Sequence, residues 1–299
     1  MIRPINAGHS GEYVGRVISA HGRQYRVLTD DGESINCFPR GKKSELAVGD
    51  RVRIQRQSED QAVVVACLPR TSLLYRSDPY RQKLIAANAT QIVIVVATTP
   101  GFSIDLVSRC LIAAESQSLK ALVVLNKCDL REHIDPARSL LQPLLKIGTR
   151  ILEISAKCDA SALLPLLAGE ASVLVGQSGM GKSTLVNALV PGAMAATREI
   201  SVALGSGRHT TTHATYYTLD ADTALIDSPG LQEFGLAHLD RQTLSESFVE
   251  FRPHLGNCRF RDCCHRHEPN CALLEAKARG EIDPVRMASY YRLCDELPK

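Results

Sequence analysis

Residues 171–190 read ASVLVGQSGMGKSTLVNALV, and they decide the fold. The apolar run ASVLV predicts a strand and TLVNALV predicts a helix, with a glycine-rich turn between them. Glycines at this spacing let backbone N–H groups close on phosphate oxygens, and the helix N-terminus favours their negative charge. The stretch therefore predicts a phosphate-binding loop. Its expected nucleotide contacts are Gly176, Gln177, Ser178, Gly179, Met180, Gly181, Lys182, Ser183 and Thr184.

Outward from this loop, apolar strands alternate with helical segments. QIVIVVATT (91–99) and ALVVLNK (121–127) are near-continuous apolar runs, as expected for parallel strands covered on both faces. SIDLVSRCLIAAESQ (103–117) between them has helical spacing. The sheet is expected to continue with ILEIS (151–155), SVLVG (172–176) and TALIDS (223–228). The pattern predicts a doubly wound α/β domain.

A base-reading motif, Asn126-Lys127-Cys128-Asp129, ends one of these strands, at the edge where ligands of open α/β sheets bind. The Asp129 carboxylate can accept hydrogen bonds from both N1–H and the 2-amino group of guanine. Adenine offers no such donor pair, so the motif favours GTP over ATP. After the next strand, Ser155-Ala156-Lys157 fits a loop that packs on the base through a backbone N–H.

The order of these motifs is unusual, because the base-reading motif precedes the phosphate loop, whereas it follows that loop in an ordinary GTPase. Such a permutation is tolerated where chain termini lie close together on the surface. It places Asp227-Ser228-Pro229-Gly230 at the C-terminal end of the α/β domain. We therefore hypothesise that a γ-phosphate-dependent rearrangement of residues 227–236 moves residues 240–299 relative to the sheet.

Several residues are expected to hold magnesium and the γ-phosphate. Lys182 should reach the β- and γ-phosphates, and the Ser183 hydroxyl should ligate Mg²⁺. Asp227 should hold the ion through water, and the Gly230 amide should sense the γ-phosphate. One threonine of the segment 207–212, Thr211 or Thr212, is expected to complete the magnesium shell, and we assign this role to Thr212.

Hydrolysis needs a group that orients the attacking water. Leu231 occupies the position at which Ras-like GTPases carry a glutamine for this purpose, which predicts slow intrinsic turnover. His209 is the nearest candidate to position the water. The alternative is that His209 is exposed to solvent and has no role.

The two flanking regions differ from the α/β domain in composition. Five short β-rich segments between residues 12 and 68 predict a small barrel, for which the OB-fold is the natural candidate. The barrel either contacts nucleic acid or is a plain spacer.

Near the C-terminus, four of the ten cysteines fall within residues 258–271, beside His265 and His267. Clustering of this kind favours a metal site over a disulfide framework. Sequence alone does not choose between Cys263 and Cys264.

With these motifs in this order, NKxD, SAK, GxSGxGKS, GRHTTT and DSPG, the chain resembles the circularly permuted, ribosome-small-subunit-dependent GTPases of the RsgA family. The resemblance covers nearly the whole chain. It implies a GTP hydrolase that binds the small (30S) ribosomal subunit late in its maturation and is stimulated by it. It also implies one structural Zn²⁺, with Cys258, Cys263, His265 and Cys271 as ligands. In that case Cys264 and His267 do not bind the ion.

The resemblance divides the chain into three domains. Residues 1–70 form an RNA-binding OB-fold, residues 71–236 the circularly permuted GTPase domain, and residues 237–299 a helical zinc-binding domain. The implied partners are the 30S subunit and its 16S rRNA, and the implied cofactors are GTP or GDP, Mg²⁺ and Zn²⁺. Four arginines near the cysteines either contact rRNA phosphates or form a solvated basic rim: Arg252, Arg259, Arg261 and Arg266.

Bulk composition is compatible with this interpretation. The 299 residues are 44% hydrophobic with a net charge of +3, and no apolar run reaches the roughly 18 residues of a membrane span. The N-terminus lacks the apolar stretch of a secretory signal, so we expect a cytoplasmic protein, and a monomer is the simplest expectation.

Two alternative functions remain. One is a P-loop kinase acting on a small molecule, and the other is a non-hydrolysing, GTP-dependent RNA-binding adaptor.

Overall fold

The computed structural model describes residues 11–41, 46–77, 82–193, 214–228, 236 and 238–297. Within these ranges it contains an N-terminal barrel, a central α/β domain and a C-terminal module of short helices. No helix in the described ranges is long and apolar enough to cross a membrane.

The N-terminal strands form a closed barrel, as predicted. They are β1 (Glu12–His21), β2 (Gln24–Thr29), β3 (Ser34–Pro39), β4 (Arg51–Arg56) and β5 (Gln61–Cys67). The strand order is β1-β2-β3-β5-β4, and β4 pairs back with β1 to close the barrel. All neighbours are antiparallel except β3 and β5. This is the OB-fold arrangement.

The barrel has its own hydrophobic core, because alternate residues of each strand point inward. The buried side chains include Val17, Val27, Ile35, Val52 and Ile54. A hairpin of β6 (Leu73–Ser77) and β7 (Gln82–Ala87) follows the barrel. The sequence analysis did not predict this hairpin.

The central sheet has the order β10-β9-β8-β11-β13-β12 and is parallel except for β12. Its strands are β8 (Gln91–Ala97), β9 (Lys120–Asn126), β10 (Arg150–Glu153), β11 (Ala171–Val175), β12 (Thr215–Thr218) and β13 (Ala224–Asp227). Every residue of β8 is buried, which explains its continuous apolar sequence. The predicted doubly wound domain is confirmed. The short edge strand β12 was not predicted.

Helices cover both faces of this sheet. They are α1 (Ile104–Ser116), α2 (Ile134–Lys146), α3 (Leu164–Leu167) and α4 (Lys182–Leu189). The Ser103 side chain accepts a hydrogen bond from the Leu106 N–H and so caps the N-terminus of α1. The sequence analysis predicted α1 and α4 but assigned no helix to 134–146.

The C-terminal module (238–297) contains α5 (Arg241–Glu246), α6 (Ala272–Ala278) and α7 (Pro284–Glu296). These helices agree with the helical character that the resemblance implied for this end of the chain. Phe248, Phe251 and Tyr290 pack as an aromatic group, with ring centroids 4.8–5.5 Å apart. These rings belong to the same hydrophobic core as α1, so the module packs directly on the α/β domain.

Candidate functional site

The predicted phosphate loop lies between the end of β11 at Val175 and the start of α4 at Lys182. Its glycines are required by close neighbours as well as by backbone angles. Gly181 has φ +93°, and a Cβ there would lie 2.3 Å from the Asn126 Nδ2. A Cβ on Gly176 would lie 2.2 Å from the Val95 carbonyl oxygen. No side chain fits at either position without displacing a neighbouring strand end or loop.

The Lys182 side chain is 9% exposed and lies inside this loop. Its Nζ donates hydrogen bonds to the carbonyl oxygens of Gly176 (2.6 Å) and Gln177 (3.0 Å). Burial lowers the pKa of Lys182, although the nearby Asp227 acts in the opposite direction. A buried ammonium with only carbonyl partners is a favourable site for an anion such as phosphate.

Asp227 ends β13 and is buried beside this lysine. Burial raises the pKa of Asp227 to about 6, and the charge of Lys182 offsets this only in part. The Ser228 hydroxyl, next in the chain, donates to the Leu174 carbonyl at 2.6 Å. Ser183 lies exposed in the first turn of α4. A carboxylate and a hydroxyl beside the loop are oxygen ligands of the kind that Mg²⁺ prefers.

Asn126 ties the base-reading motif to both of the other loops. Its Nδ2 donates to the Met180 carbonyl in the phosphate loop at 2.9 Å. Its Oδ1 accepts the backbone N–H of Ala156 at 2.9 Å. The side chain is buried, so both hydrogen bonds are shielded from water. One residue therefore fixes the relative positions of three segments that are distant in sequence.

Lys127 forms a second tie to the phosphate loop. Its Nζ donates to the carbonyl oxygens of Thr99 (2.9 Å) and Gly179 (2.6 Å). The Thr98 hydroxyl donates to the Lys127 carbonyl at 3.0 Å. Sequence reasoning missed Thr98 and Thr99. Their position directly after β8, at the carboxyl edge of the sheet, is the signal that would have found them.

Asp129 is exposed at this edge and available to a base. Its Oδ1 accepts a hydrogen bond from the Ser155 hydroxyl at 2.6 Å, and this bond lowers the pKa of Asp129. The Ala156 N–H is taken by Asn126, whereas the N–H of Lys157 has no partner within the described residues. The Cys128 side chain is turned back toward β9, since its Sγ lies 3.3 Å from the Leu125 carbonyl oxygen. The exposed groups form one acceptor and one donor at the base position.

The loop is also joined to α1. The Gln177 side-chain oxygen accepts the backbone N–H of Ser103 at 3.1 Å, directly at the N-terminus of that helix. Ser178 and Gly179 are exposed, as is Thr184 in the first turn of α4. Four predicted site residues lie outside the described residues: His209, Thr211, Thr212 and Gly230.

A second site lies in the C-terminal module, where Cys258, Cys263, His265 and Cys271 offer four donor atoms within 4.8 Å of one another. Cys258 Sγ lies 3.9 Å from Cys271 Sγ, and His265 Nδ1 lies 3.5 and 3.3 Å from these two sulfurs. With Zn–S near 2.3 Å and Zn–N near 2.0 Å, a tetrahedral ion separates its ligands by roughly 3.5–3.8 Å. The donor set and its spacing fit zinc.

The structure distinguishes Cys263 from its neighbour. Cys264 lies outside the four-donor group, and its Sγ accepts a hydrogen bond from the Arg241 guanidinium at 3.0 Å. Burial raises the pKa of the Cys263 thiol to about 12 and lowers the pKa of His265. A divalent cation would stabilise the thiolate forms against this burial, and the neutral imidazole is the form that binds metal.

The loop around the cysteines is organised by Glu268, a residue that sequence reasoning missed. Its carboxylate accepts backbone N–H groups of Cys264 (2.9 Å), Arg266 (2.8 Å) and His267 (3.1 Å). Hydrogen bonds from its own and these backbone groups lower the pKa of Glu268 to about 2. The Tyr291 hydroxyl of α7 donates to the His265 carbonyl at 2.6 Å. No local sequence pattern predicted these hydrogen bonds between the Glu268 carboxylate and the backbone of the loop.

Comparison with known families decides the assignment. A family model described as RsgA GTPase matches residues 67–237, more than half of the chain. The chain belongs to the RsgA GTPase family. The resemblance stated from the sequence is thereby confirmed, and the enzyme is a GTP hydrolase.

Relatives extend the match to both flanking regions. The small ribosomal subunit biogenesis GTPase RsgA of Burkholderia pseudomallei strain K96243 is 57% identical over 97% of this chain and 94% of its own length. The protein of the same name from Nitrosomonas europaea is 50% identical over 95% of this chain and 92% of its own. The RsgA fold of the present chain therefore includes the barrel and the C-terminal module.

Solved structures agree with this architecture. YjeQ from Thermotoga maritima aligns with a TM-score of 0.74 and 30% identity, covering 96% of this chain and 98% of its own. YloQ, described as a circularly permuted GTPase, aligns with a TM-score of 0.70 over 99% of this chain and 100% of its own. At 24% identity the second match concerns the fold alone. The predicted fold class, including the permuted order, is confirmed.

Proposed function

We propose that this GTPase binds the small (30S) ribosomal subunit, assists or checks its late maturation, and hydrolyses GTP to GDP and phosphate with stimulation by the subunit. The observation that carries the proposal is the match at 50–57% identity to relatives named for small-subunit biogenesis, over nearly the whole length of both chains. The guanine-selective edge of the sheet supports the nucleotide part of the proposal.

The base is selected by groups that are held in place before a nucleotide binds. Asp129 accepts from guanine N1–H and the 2-amino group, and Ser155 orients its carboxylate. The backbone N–H of Lys157, which has no partner within the described residues, is the donor that the loop 155–157 offers to an acceptor atom of the base. Asn126, Lys127 and Cys128 position this edge through their bonds to neighbouring strands and loops.

The phosphates lie on the backbone of Gly176–Thr184, and Lys182 leaves its carbonyl partners to stabilise the transferred phosphoryl group. When bound, Mg²⁺ neutralises charge on the β- and γ-phosphate oxygens. Ser183, Thr212 and Asp227 would hold it. In this proposal the Gly230 amide senses the γ-phosphate, and Thr211 is the alternative to Thr212 in the magnesium shell. His209 positions the attacking water, because Leu231 stands where Ras-like GTPases carry a glutamine.

We further propose one Zn²⁺ per chain, held by Cys258, Cys263, His265 and Cys271. The three functional units are residues 1–70 as an RNA-binding barrel, 71–236 as the GTPase domain and 237–299 as the zinc-binding domain. Partner binding involves 16S rRNA, and the protein acts as a cytoplasmic monomer. These proposals extend the family resemblance to the individual residues and boundaries.

The structure separates the four arginines near the zinc ligands into two pairs. Arg252 binds Glu115 at 2.7 Å, and Arg266 pairs with Asp295. Arg259 lies over the Phe260 ring at 5.5 Å, and Arg261 has no ion-pair partner in the described part of the chain. Phosphates of rRNA are therefore more readily contacted by Arg259 and Arg261 than by the paired arginines.

The test is phosphate release from GTP with and without purified small ribosomal subunits, with Lys182→Ala as the catalytic blank. The proposal predicts slow turnover alone and strong stimulation by subunits, lost in the variant. Stimulation by large subunits to the same extent would remove the partner assignment. Tight GTP binding without phosphate release under any condition would instead support the non-hydrolysing adaptor.

A further inference from the structure

The C-terminal module is attached to the α/β domain through a shared hydrophobic core. Phe248, Phe251 and Tyr290 belong to one continuous cluster with Val107 and Leu111 of α1. Such a core is close-packed and does not slide without losing many contacts. The module is therefore built onto α1 as one unit.

Polar contacts strengthen this attachment. Arg286 of α7 is 1% exposed, pairs with Glu250 at 2.7 Å and donates to the Ser108 hydroxyl of α1 at 3.1 Å. Among the described residues, three ion pairs join α1 to the module: Arg109 with Glu296, Arg292 with Asp105, and Arg252 with Glu115. A displacement of the module would leave the buried Arg286 without one of its partners.

The barrel is attached differently. Its core is a separate cluster, and the partly buried Ala20 packs against both that core and the core of the α/β domain. Within the described residues, β1 meets the central sheet at one register position, Ser19 opposite Thr215 of β12. The barrel strand is irregular at this point, with a register shift between Val17 and Ser19. The Ser19 hydroxyl is buried and has no hydrogen-bond partner among the described residues.

A second contact joins the barrel to the hairpin that precedes the central sheet. Gly49 has φ +95°, and a Cβ there would lie 2.1 Å from the Ala87 carbonyl oxygen. The Ala87 N–H donates to the Val48 carbonyl at 2.8 Å, and Asn88 Nδ2 donates to the Gly49 carbonyl at 3.1 Å. Val48 is buried against the α/β core. The barrel is thus joined to the hairpin through backbone atoms at Val48 and Gly49, and we take this contact as the pivot.

The single strand that separates the barrel from the nucleotide edge is β12. Thr215 pairs with Ser19 of the barrel on one side and with Asp227 on the other. Asp227 is the carboxylate that we assign to magnesium. The assigned magnesium ligand Asp227 is thus separated from the barrel by this one short strand.

From this arrangement we infer that the nucleotide state is transmitted through β12 to the barrel, which turns about the Gly49–Ala87 contact while the C-terminal module stays fixed on α1. This inference rests on the proposed function of the nucleotide site. It is the reverse of the movement that the permuted motif order alone led us to expect, in which residues 240–299 move. At the β1–β12 junction, the Ser19 hydroxyl has no hydrogen bond to lose among the described residues, and the strand is already irregular. This junction is therefore easier to rearrange than the α1–α7 interface, which is close-packed and hydrogen-bonded.

The experiment measures two distances in the full-length, zinc-loaded protein by pulsed electron paramagnetic resonance. Spin labels are attached through genetically encoded azide side chains at Glu59 in the barrel, Gln142 on α2 and Ala278 on α6, all exposed. The distances Glu59–Gln142 and Ala278–Gln142 are compared with GDP and with a non-hydrolysable GTP analogue, each with Mg²⁺. A rotation of about 15°, as in known rigid-body switches, moves a label about 20 Å from its pivot by roughly 5 Å.

We expect the barrel distance to shift by roughly 5 Å on exchange of GDP for the GTP analogue, and the module distance to stay unchanged. A shift of the Ala278–Gln142 distance with a constant Glu59–Gln142 distance would overturn the inference, and so would two unchanged distances. No ribosomal component is present, so the result does not depend on the partner proposed above. A failure to bind either nucleotide would remove the proposed function and this inference together, whereas binding without barrel displacement would remove the inference alone.

A cross-link tests the route. Opposed residues of antiparallel strands have Cα atoms roughly 4.5–5.5 Å apart, within disulfide range. The double variant Ser19→Cys, Thr215→Cys is expected, once oxidised, to lose the nucleotide-dependent shift and to regain it on reduction. The wild-type chain carried through the same oxidation and reduction is the control. An unchanged shift in the verified cross-linked protein would show that β12 is not the route.

Discussion

The nucleotide site and the cysteine cluster are assembled in opposite ways. In the nucleotide site, buried side-chain hydrogen bonds from Asn126 and Lys127 join three loops directly to one another. In the cysteine cluster, four donor atoms lie close together without covalent links. The loop between them is held mainly by hydrogen bonds from its backbone N–H groups to the Glu268 carboxylate. The described loops of the first site are joined by the protein's own hydrogen bonds, whereas the ligands of the second would be held together by the proposed ion.

This difference indicates that the cysteine cluster depends on its ligand for its structure and that the nucleotide site does not. Removing the ligand from a preformed site leaves the surrounding fold intact, whereas metal binding free energy in a small loop is folding free energy. Substitutions at the two sites should therefore affect different quantities. Changes at the cluster should unfold a segment, and changes at the nucleotide site should mainly alter binding and turnover.

The largest expected effect is at the cluster. Cys258→Ser should release zinc and destabilise residues 257–271 by about 5 kcal/mol or more, because structural zinc contributes its binding free energy to folding. Zinc content and chymotrypsin sensitivity of the C-terminal module provide the measurement. Cys264→Ser, which changes a neighbouring thiol outside the cluster, is the matched control. Equal zinc content in both variants would break the assignment of ligands.

The next effect concerns base selection. Asp129→Asn replaces the acceptor of two guanine hydrogen bonds with an amide that can donate to the 2-oxo group of xanthine. Affinity for GDP should fall by about 10²–10⁴, because two hydrogen bonds to a charged acceptor are lost, each worth about 1.5–3 kcal/mol. Xanthosine diphosphate should then bind better than GDP, and thermal stability should stay at the wild-type value. Asp222→Asn, exposed at the far end of the sheet, should leave both affinities unchanged.

A third prediction concerns the tie between the loops. Asn126→Ala leaves the Met180 carbonyl and the Ala156 N–H without their partner, so the free energy of unfolding should fall by about 2–4 kcal/mol. GDP affinity should fall as well, since the phosphate and base loops are no longer fixed to each other. Urea unfolding and fluorescent GDP binding measure the two effects. If Asn187→Ala, an exposed position on α4, were equally destabilising, the tie would have no special role.

The smallest effect is a gain in stability at the nucleotide site. The pKa of Asp227 is about 6 in the folded chain and 3.8 as the ordinary value, so the folded state binds its proton more tightly. Below pH 4 the carboxyl is protonated in both states, and above pH 6 burial of its charge opposes folding in full. Asp227→Asn should therefore gain stability over wild type as pH rises from 4 to 6, by about 2–3 kcal/mol in all.

Thermal unfolding of nucleotide-free, magnesium-free protein across this pH range measures the gain. Asp222→Asn, which changes an exposed aspartate away from the nucleotide edge, is the control variant. A gain that was the same at pH 4 and pH 7 would mean that the Asp227 charge is not its source. The same variant should lose GTP hydrolysis, because the assigned magnesium ligand is absent.

The sequence predicted those parts of the molecule whose local pattern matches their physical cause. Continuous apolar runs predicted β8 and β9 because both faces of these strands are covered, and a series of short β-rich segments predicted the barrel. Glycines predicted the phosphate loop because Val95 and Asn126 approach its backbone too closely for a Cβ. The four-donor cluster was predicted through family resemblance, and its spacing alone left Cys263 and Cys264 interchangeable.

Long-range contacts were the part that the sequence did not predict. Strand β12 has four residues, Thr215–Thr218, and its pairing with both the barrel and β13 has no local signature. Glu268 and Thr98 act through backbone groups brought close by folding. In the sequence, Arg286 and Glu250 look like ordinary surface charges of a helical segment. Only the structure shows that both are buried as an ion pair next to α1. Each case depends on tertiary position rather than on residue type.

Hydrogen exchange followed by mass spectrometry tests the contrast between the two sites most directly, because both are observed in one sample. The protein is compared with and without zinc chelation, each with and without GDP. We expect the amides of 126–129, 154–160 and 182–189 to be protected in the absence of every ligand, and those of 257–271 to lose protection only on chelation. Nucleotide loops that gain protection only with GDP, or a cysteine loop that stays protected without zinc, would contradict the account.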